Sequence, residues 1–247
     1  MADRISELPE LAATPAVDDL LAITDVSDPG TGTTKKITTT NLFAYLPDLT
    51  GWTPVAVAWA YASATTITVP AGADTIYSVG DKIRFKQGGA YKYYYIITVA
   101  AALLTVTGGS DYTVANAAIT NIYYSKNSSP VGFPGWFNCA VGYTGFSANP
   151  TATIKFSISG RTFFFNYVTT GAGTSNAVTF TLTGLPVAAV ILAFGATNVK
   201  DNGAWQAGAG SVYINGTTMT LGKTMTGAGG FTASGDKDTS FELFYEI

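Results

Sequence analysis

Apolar and polar residues alternate in short runs along most of this chain, and glycine interrupts the runs at close intervals. Lys82-Ile83-Arg84-Phe85-Lys86, Ile154-Lys155-Phe156-Ser157-Ile158 and Val178-Thr179-Phe180-Thr181-Leu182 each repeat every second residue. In Phe241-Glu242-Leu243-Phe244-Tyr245-Glu246-Ile247 the same period puts Phe241, Leu243, Tyr245 and Ile247 on one face. A period of two fits a strand with one buried face and does not fit a helix. The runs are rich in Thr, Val, Ile, Tyr and Phe, and 27 glycines supply the turns between them. The expected fold class is therefore all-β, with many short strands and tight connections.

The pattern divides into three units. Residues 1–50 carry most of the helix signal. Ser6-Glu7-Leu8-Pro9-Glu10 reads as a turn or short helical piece, and Asp18 to Asp25 as a strand. Asp28-Pro29-Gly30-Thr31-Gly32 turns the chain, because proline presets φ and glycine accepts a positive φ. Lys35-Lys36-Ile37-Thr38 returns as a strand, and Thr39 or Thr40 caps a short helix through Leu42, Phe43 and Leu46. A unit this small needs something to dock on. Residues 51–130 hold five or six short strands and are expected to form a small barrel, with Gly88-Gly89 as one turn. Asn127 to Gly135, rich in serine, proline and glycine, reads as a linker. Residues 136–247 read as a jelly-roll-like β-sandwich, with Ser159-Gly160-Arg161-Thr162 and Asn215-Gly216 as hairpin turns and a last strand built into the sheet.

Composition narrows the chemistry. Charged residues are 12% of the 247, about half the ~25% of soluble domains, while 47% are hydrophobic and 13% aromatic. So few charges imply apolar surface hidden between subunits. The net charge of −3 and the absence of a basic stretch argue against nucleic acid. Lys35-Lys36 and the alternating Lys82, Arg84 and Lys86 read as solvated strand faces. Tyr93–Val106 and Leu185–Ala196 are apolar but shorter than the ~20 residues a membrane helix needs. Thr98, Thr105, Gly108-Gly109, Pro186 and Gly195 interrupt them, so strands are expected in both. The charged start Met1-Ala2-Asp3-Arg4 lacks the apolar core of a signal peptide.

There is no histidine and one cysteine, Cys139. Triads that use imidazole as base are excluded, as are histidine or multi-thiolate zinc sites. Cys139 reads as a small buried hydrophobe. Carboxylates are what remains for catalysis. Asp18 and Asp19 point to opposite faces of a strand, and Asp236 and Asp238 supply two ligands where calcium takes about six to eight oxygens. Glu242 and Glu246 flank Phe244 on one strand face, too far apart to touch. The glycine clusters at 171–173, 208–210 and 227–230 precede no helix and carry no phosphate-loop lysine. No enzyme activity, cofactor or metal is expected. Two features invite a ligand: Trp205, in the polar loop Asn198–Gly210, and the run Tyr91, Tyr93, Tyr94, Tyr95, of which Tyr94 faces away from the others. Packing under the loop or against another subunit is the plainer reading of Trp205, and core or subunit contact that of the tyrosines.

Several ordered runs resemble proteins of tailed-bacteriophage particles. Ile5-Ser6-Glu7-Leu8-Pro9, Asp18-Asp19-Leu20-Leu21-Ala22-Ile23 and Thr33-Thr34-Lys35-Lys36-Ile37-Thr38 resemble the N-terminal segment of fibres and other appendages. Gly80-Asp81-Lys82-Ile83-Arg84, Leu104 to Thr113, Asn116-Ala117-Ala118-Ile119 and Ser129 to Pro134 are similar to a module of phage structural proteins. Gly160 to Phe165, followed by Leu185-Pro186-Val187, looks like a fibre-tip or decoration domain. The resemblance implies a virion surface appendage (fibre, spike or head fibre), assembled in the bacterial cytoplasm. It implies a homotrimer on a capsid, collar, tail or baseplate protein, anchored through Ile5, Leu8, Pro9, Leu20, Leu21, Ile23, Lys35, Lys36 and Ile37. Neither nucleic acid nor membrane insertion is implied. No coiled-coil heptads or β-helical shaft are present, which favours a compact spike, head fibre or adaptor. The competing expectation is a free carbohydrate- or receptor-binding module with exposed aromatics, and behind it a glycan depolymerase.

Overall fold

A computed structural model of the chain describes residues 20–25, 33–38, 50–226 and 230–247. They are almost entirely β. Strands β1 (Leu20–Asp25) and β2 (Thr33–Thr38) form an antiparallel hairpin that sets Leu21 opposite Ile37, Ala22 opposite Lys36 and Ile23 opposite Lys35. Ile5, Leu8, Pro9, the Ser6–Glu10 piece and the helix expected through Leu46 lie outside the described residues.

Seven antiparallel strands follow: β3 (Thr53–Pro54), β4 (Ala60–Ser63), β5 (Thr66–Thr68), β6 (Lys82–Gln87), β7 (Ala90–Ala100), β8 (Leu103–Thr107) and β9 (Thr120–Ser125). They lie in the order β3-β9-β6-β7-β8-β5-β4 and curl into a half-barrel. Gln87 pairs with Ala90, so Gly88 and Gly89 form a two-residue turn at φ 62° and 86°, a geometry that side chains with a Cβ resist. A single helical turn, Ala73–Ile76, bridges β5 and β6 and was not anticipated. It forms because Pro70 ends the strand pairing, Gly72 takes φ 88°, and the buried Ala73 receives a hydrogen bond from Tyr77 N at 2.8 Å.

The concave core takes Ile83 and Phe85 from β6 and Tyr94 and Ile96 from β7. Tyr94 stacks on Phe85 at 5.1 Å. The opposite face of β6 corrects the sequence reading. Lys82 is only 2% exposed, with its ammonium 5.4 Å from the Tyr95 ring centre and 5.8 Å from that of Phe133. The Arg84 guanidinium lies 4.5 Å from both Trp52 and Tyr123. The solvated face is thus a second packed face, because residues around Trp52 and Phe133 return to cover it.

Twelve strands make the second body: β10 (Phe137–Asn138), β11 (Gly142–Thr144), β12 (Phe146–Ala148), β13 (Thr151–Ser159), β14 (Thr162–Gly171), β15 (Gly173–Ser175), β16 (Phe180–Thr183), β17 (Ala189–Asp201), β18 (Ala204–Trp205), β19 (Gly210–Gly216), β20 (Thr218–Gly222) and β21 (Asp236–Glu246). The main path is β10-β13-β14-β21-β17-β19-β20-β16-β11. Strand β17 turns the corner of a sandwich-like arrangement: Asn198–Lys200 pair with β21, while earlier residues pair with β19. Gly195 does not break β17. Its missing side chain leaves room for Leu243 and Val212, which a Cβ would touch at 3.0 and 3.3 Å. Phe156, Phe163, Phe165, Phe241, Leu243 and Tyr245 meet Leu182, Val212, Ile214, Met219 and Leu221 in one core, and each such side chain contributes about 1.5–3 kcal/mol by leaving water.

The two bodies share that core. Tyr95 of β7 touches Phe133 and Phe137 at ring distances of 5.0 and 5.3 Å, and Phe137 stacks on Phe156 at 5.7 Å. The segment expected as a linker is a packed strap: Trp52 Nε1 donates to Val131 O at 2.9 Å, and Val131 N to Thr50 O at 2.9 Å. Asn138 N and Nδ2 donate to the two Asp111 carboxylate oxygens at 2.8 and 2.7 Å. A Cβ at Gly80 would collide with the Gly160 carbonyl, and one at Gly109 with the Asn138 carbonyl, both from positive φ. Gly109→Ala is expected to lower stability by about 1–3 kcal/mol through backbone strain and a parted seam. A urea titration checks it, and an unchanged midpoint contradicts the account of the seam.

Candidate functional site

Antiparallel register assembles a row of side chains on the outer face of the sandwich. Phe194 of β17 lies opposite Tyr213 of β19, Tyr213 opposite Thr220 of β20, Thr220 opposite Thr181 of β16, and Thr181 opposite Thr144 of β11. Because a strand's neighbours in register share a face, one row runs from aromatic to hydroxylated. The Phe194 and Tyr213 rings are 5.9 Å apart, and the Thr144 and Thr181 hydroxyls hydrogen-bond at 2.7 Å. Over the aromatic end lies a cleft of about 420 Å³. Its floor is Phe194, Tyr213, Ser211 and Thr220, and its walls are Val178-Thr179 and, facing them, Lys223, Met225 and Phe231.

Asp201, the last residue of β17, holds that wall. Its carboxylate accepts from Lys223 Nζ at 2.7 Å, Lys237 Nζ at 2.9 Å and Thr232 N at 3.1 Å. Lys237 Nζ also donates to Ser234 O at 2.7 Å. Asp201 and Lys237 are buried. Burial alone would raise the Asp201 pKa, but the hydrogen bonds from Lys223 and Lys237 outweigh it and hold the carboxyl down at about 2. Lys223, the charged residue that lines the cleft among the described residues, shares the single Asp201 carboxylate with Lys237, so the three groups keep one net positive charge at this wall. What the cleft offers is an aromatic surface and hydroxyl groups beside that wall, suited to a ligand with one apolar face and polar groups around it.

The residues singled out from sequence fall elsewhere. Trp205 is 56% exposed on β18, opposite Lys200, and does not line the cleft. It does not pack under its loop, because most of Asn198–Gly210 is a hairpin turned at Asn202-Gly203, with φ 48° and 80°. Tyr94 is corrected as a ligand contact: it is buried in the half-barrel core, and burial raises its phenol pKa. Leu20, Leu21, Ile23, Lys35, Lys36 and Ile37 lie on the β1–β2 hairpin. Cys139 is buried, and burial pushes its thiol up to about 12. Glu242 accepts from Asn166 Nδ2 at 3.0 Å, and Glu246 lies 3.8 Å from Arg161. Among the described residues no three acidic or cysteine side chains converge as a metal site would need, and no helix is long and apolar enough to cross a membrane. Sequence reasoning missed Phe194 and Tyr213. The available signal was the unbroken run Val190-Ile191-Leu192-Ala193-Phe194, which an alternating strand with one wet face does not carry.

Comparison with protein-family models, with curated proteins and with solved structures finds no match to the chain.

The depressed pKa of Asp201 has a pH signature. An unfolded aspartate titrates near ~4, so the pairing adds about 2–3 kcal/mol at neutral pH, fully present above pH ~4 and lost as pH falls toward ~2. Asp201→Asn leaves Lys237 buried without its carboxylate and is expected to cost about 3–5 kcal/mol. Thermal melts from pH 7 to 2 check both points: the variant should melt lower at pH 7 and vary less in acid.

Proposed function

We propose that this protein is a non-catalytic structural appendage on the surface of a tailed-phage particle. The β1–β2 hairpin segment joins it to another particle protein, and its β-bodies join it to copies of itself. The observation that carries the reading is the pairing of a 12% charged chain with large apolar side chains left exposed on the sandwich: Val190, Ile191, Leu192, Phe194 and Phe244. A chain that works alone in water has no use for such a surface, whereas a subunit of an assembly does. The aromatic seam supports the same reading, since an appendage has to hold its parts in fixed relation. The resemblance of the N-terminal and middle runs to phage structural proteins supplies the particle.

Gold-labelled antibody to the sandwich should decorate tailed particles made by cells that carry the gene, at one fixed position. Purified protein should restore the decoration to particles made without it, and the Ile23→Asp, Ile37→Asp double variant should not. Unlabelled particles overturn the reading.

A second reading rests on the cleft: a binding module for a host-surface saccharide, whose C–H face would lie on Tyr213 and Phe194 while Thr220 meets its hydroxyls. A glycan array checks it. Binding that Tyr213→Ala weakens at least tenfold supports this role, and binding indifferent to that substitution removes the cleft from it.

A further inference from the structure

Outward-facing aromatic side chains continue beyond the cleft. Phe164 of β14 lies opposite Phe244 of β21, with ring centres 6.3 Å apart. Phe244 and Phe194 line opposite sides of a groove of about 360 Å³ between β21 and β17. Phe194 meets Tyr213 on the next strand. An aromatic band thus crosses β14, β21, β17 and β19, and Ile191, within the exposed run Val190–Leu192, lines the same groove as Phe194 and Phe244. Val190, Ile191, Leu192 and Phe194 are each 51–67% exposed, and Phe244 68%. Val190–Leu192 also stand outside the β17–β19 ladder, which pairs Ala189 with Gly216 and resumes at Ala193 with Ile214.

We infer that this band is the surface through which copies of this chain associate; the inference rests on the self-association in the function proposed above. Three observations select a second copy as the occupant. First, Val190, Ile191, Leu192, Phe194 and Phe244 are each more than half exposed, and a cluster of large apolar side chains left in water marks an interaction surface. Second, the acids at the rim are partnered within the chain: Glu242 accepts from Asn166 Nδ2 at 3.0 Å and Glu246 lies 3.8 Å from Arg161, which softens the like-charge repulsion between identical faces. Third, the β-bulge at Val190–Leu192 exposes three consecutive apolar side chains, and the same bulge on a second copy presents a matching apolar surface.

Light scattering on the full chain reads the result. The subunit mass is 25.7 kDa. The wild type should give an integer multiple of it, and the Phe194→Asp, Phe244→Asp double variant should fall to the subunit mass with unchanged circular dichroism. Trp205→Ser, off the band, should keep the multiple. A Leu192→Cys variant should cross-link copies with a short bis-maleimide, and an Ala207→Cys control should not; the native Cys139 is buried. This second test decides the matter if the double variant fails to fold. A wild-type multimer with no Leu192→Cys cross-link, or one that survives the double substitution, places the interface elsewhere and overturns the inference. A wild-type monomer at every concentration overturns it too. Unlabelled particles alongside a multimer broken by the double variant would overturn the particle reading and leave the interface standing.

Discussion

The packing of Tyr95, Phe133, Phe137 and Phe156 is the constraint on which the described structure depends. Four rings from a strand of the half-barrel, the connecting strap and two strands of the sandwich meet at centre distances of 5.0–5.7 Å. The half-barrel's end strands β3 and β4 are not paired with each other, so its sheet does not close on itself. The seam supplies the missing enclosure on the other face. It also sets the cost of Lys82, whose burial against Tyr95 and Phe133 lowers its pKa while neighbouring Asp81 opposes the shift. A lysine is tolerable there because the aromatic ring faces accept the ammonium. Remove the strap, and Lys82 and Arg84 regain water while Tyr95 loses its partners. The glycines fit the same constraint: at Gly80 and Gly109 the two bodies approach so closely that backbone stands where a side chain would be.

Alternation in the sequence was enough to place the strands and to say which residues of each run share a face. Ile83 with Phe85, Ile154 with Phe156, and Phe241 with Leu243 and Tyr245 are all buried as their spacing requires. It could not tell what covers the other face. Lys82, Arg84 and Lys86 alternate with apolar residues as a wet face does, yet Trp52 and Phe133, distant in sequence, fold over that side. Asn127–Gly135 does connect the two bodies as a linker would, but the same blindness hid that Phe133 packs into the seam on the way. Serine, proline and glycine describe a segment without regular pairing, and such a segment can still be packed when it carries one large aromatic ring. The helical turn at Ala73–Ile76 is too short to show a period at all.

The cleft was illegible for a related cause. Phe194, Tyr213 and Thr220 are brought together by the registers of β17, β19 and β20, and register is a tertiary property that no run contains. Trp205 and the tyrosine run stood out because they are aromatic in unusual surroundings, but unusual surroundings in sequence do not specify exposure. Tyr94 went to the core because its partners across the strand are Ile83 and, on the stack, Phe85. Asp201 carried no sequence signal, since its three donors come from residues 22, 31 and 36 positions further along.

Phe194 belongs to both the cleft and the apolar band, and that shared residue ties the two readings of the surface together. A copy seated on the band lies against the Phe194 ring, which is also the aromatic end of the cleft floor. Binding and assembly then act on one side chain and are thermodynamically linked. A ligand that stacks on the exposed ring competes with the second copy and loosens the assembly. A ligand that fits only once the copy has closed the open side of the cleft is held between subunits and tightens it, because whatever binds the assembled form alone stabilises that form. The sign is set by which surface of Phe194 remains free after association. The Asp201 clasp acts at the far wall, where it ties Lys223 of the cleft to the backbone at Thr232.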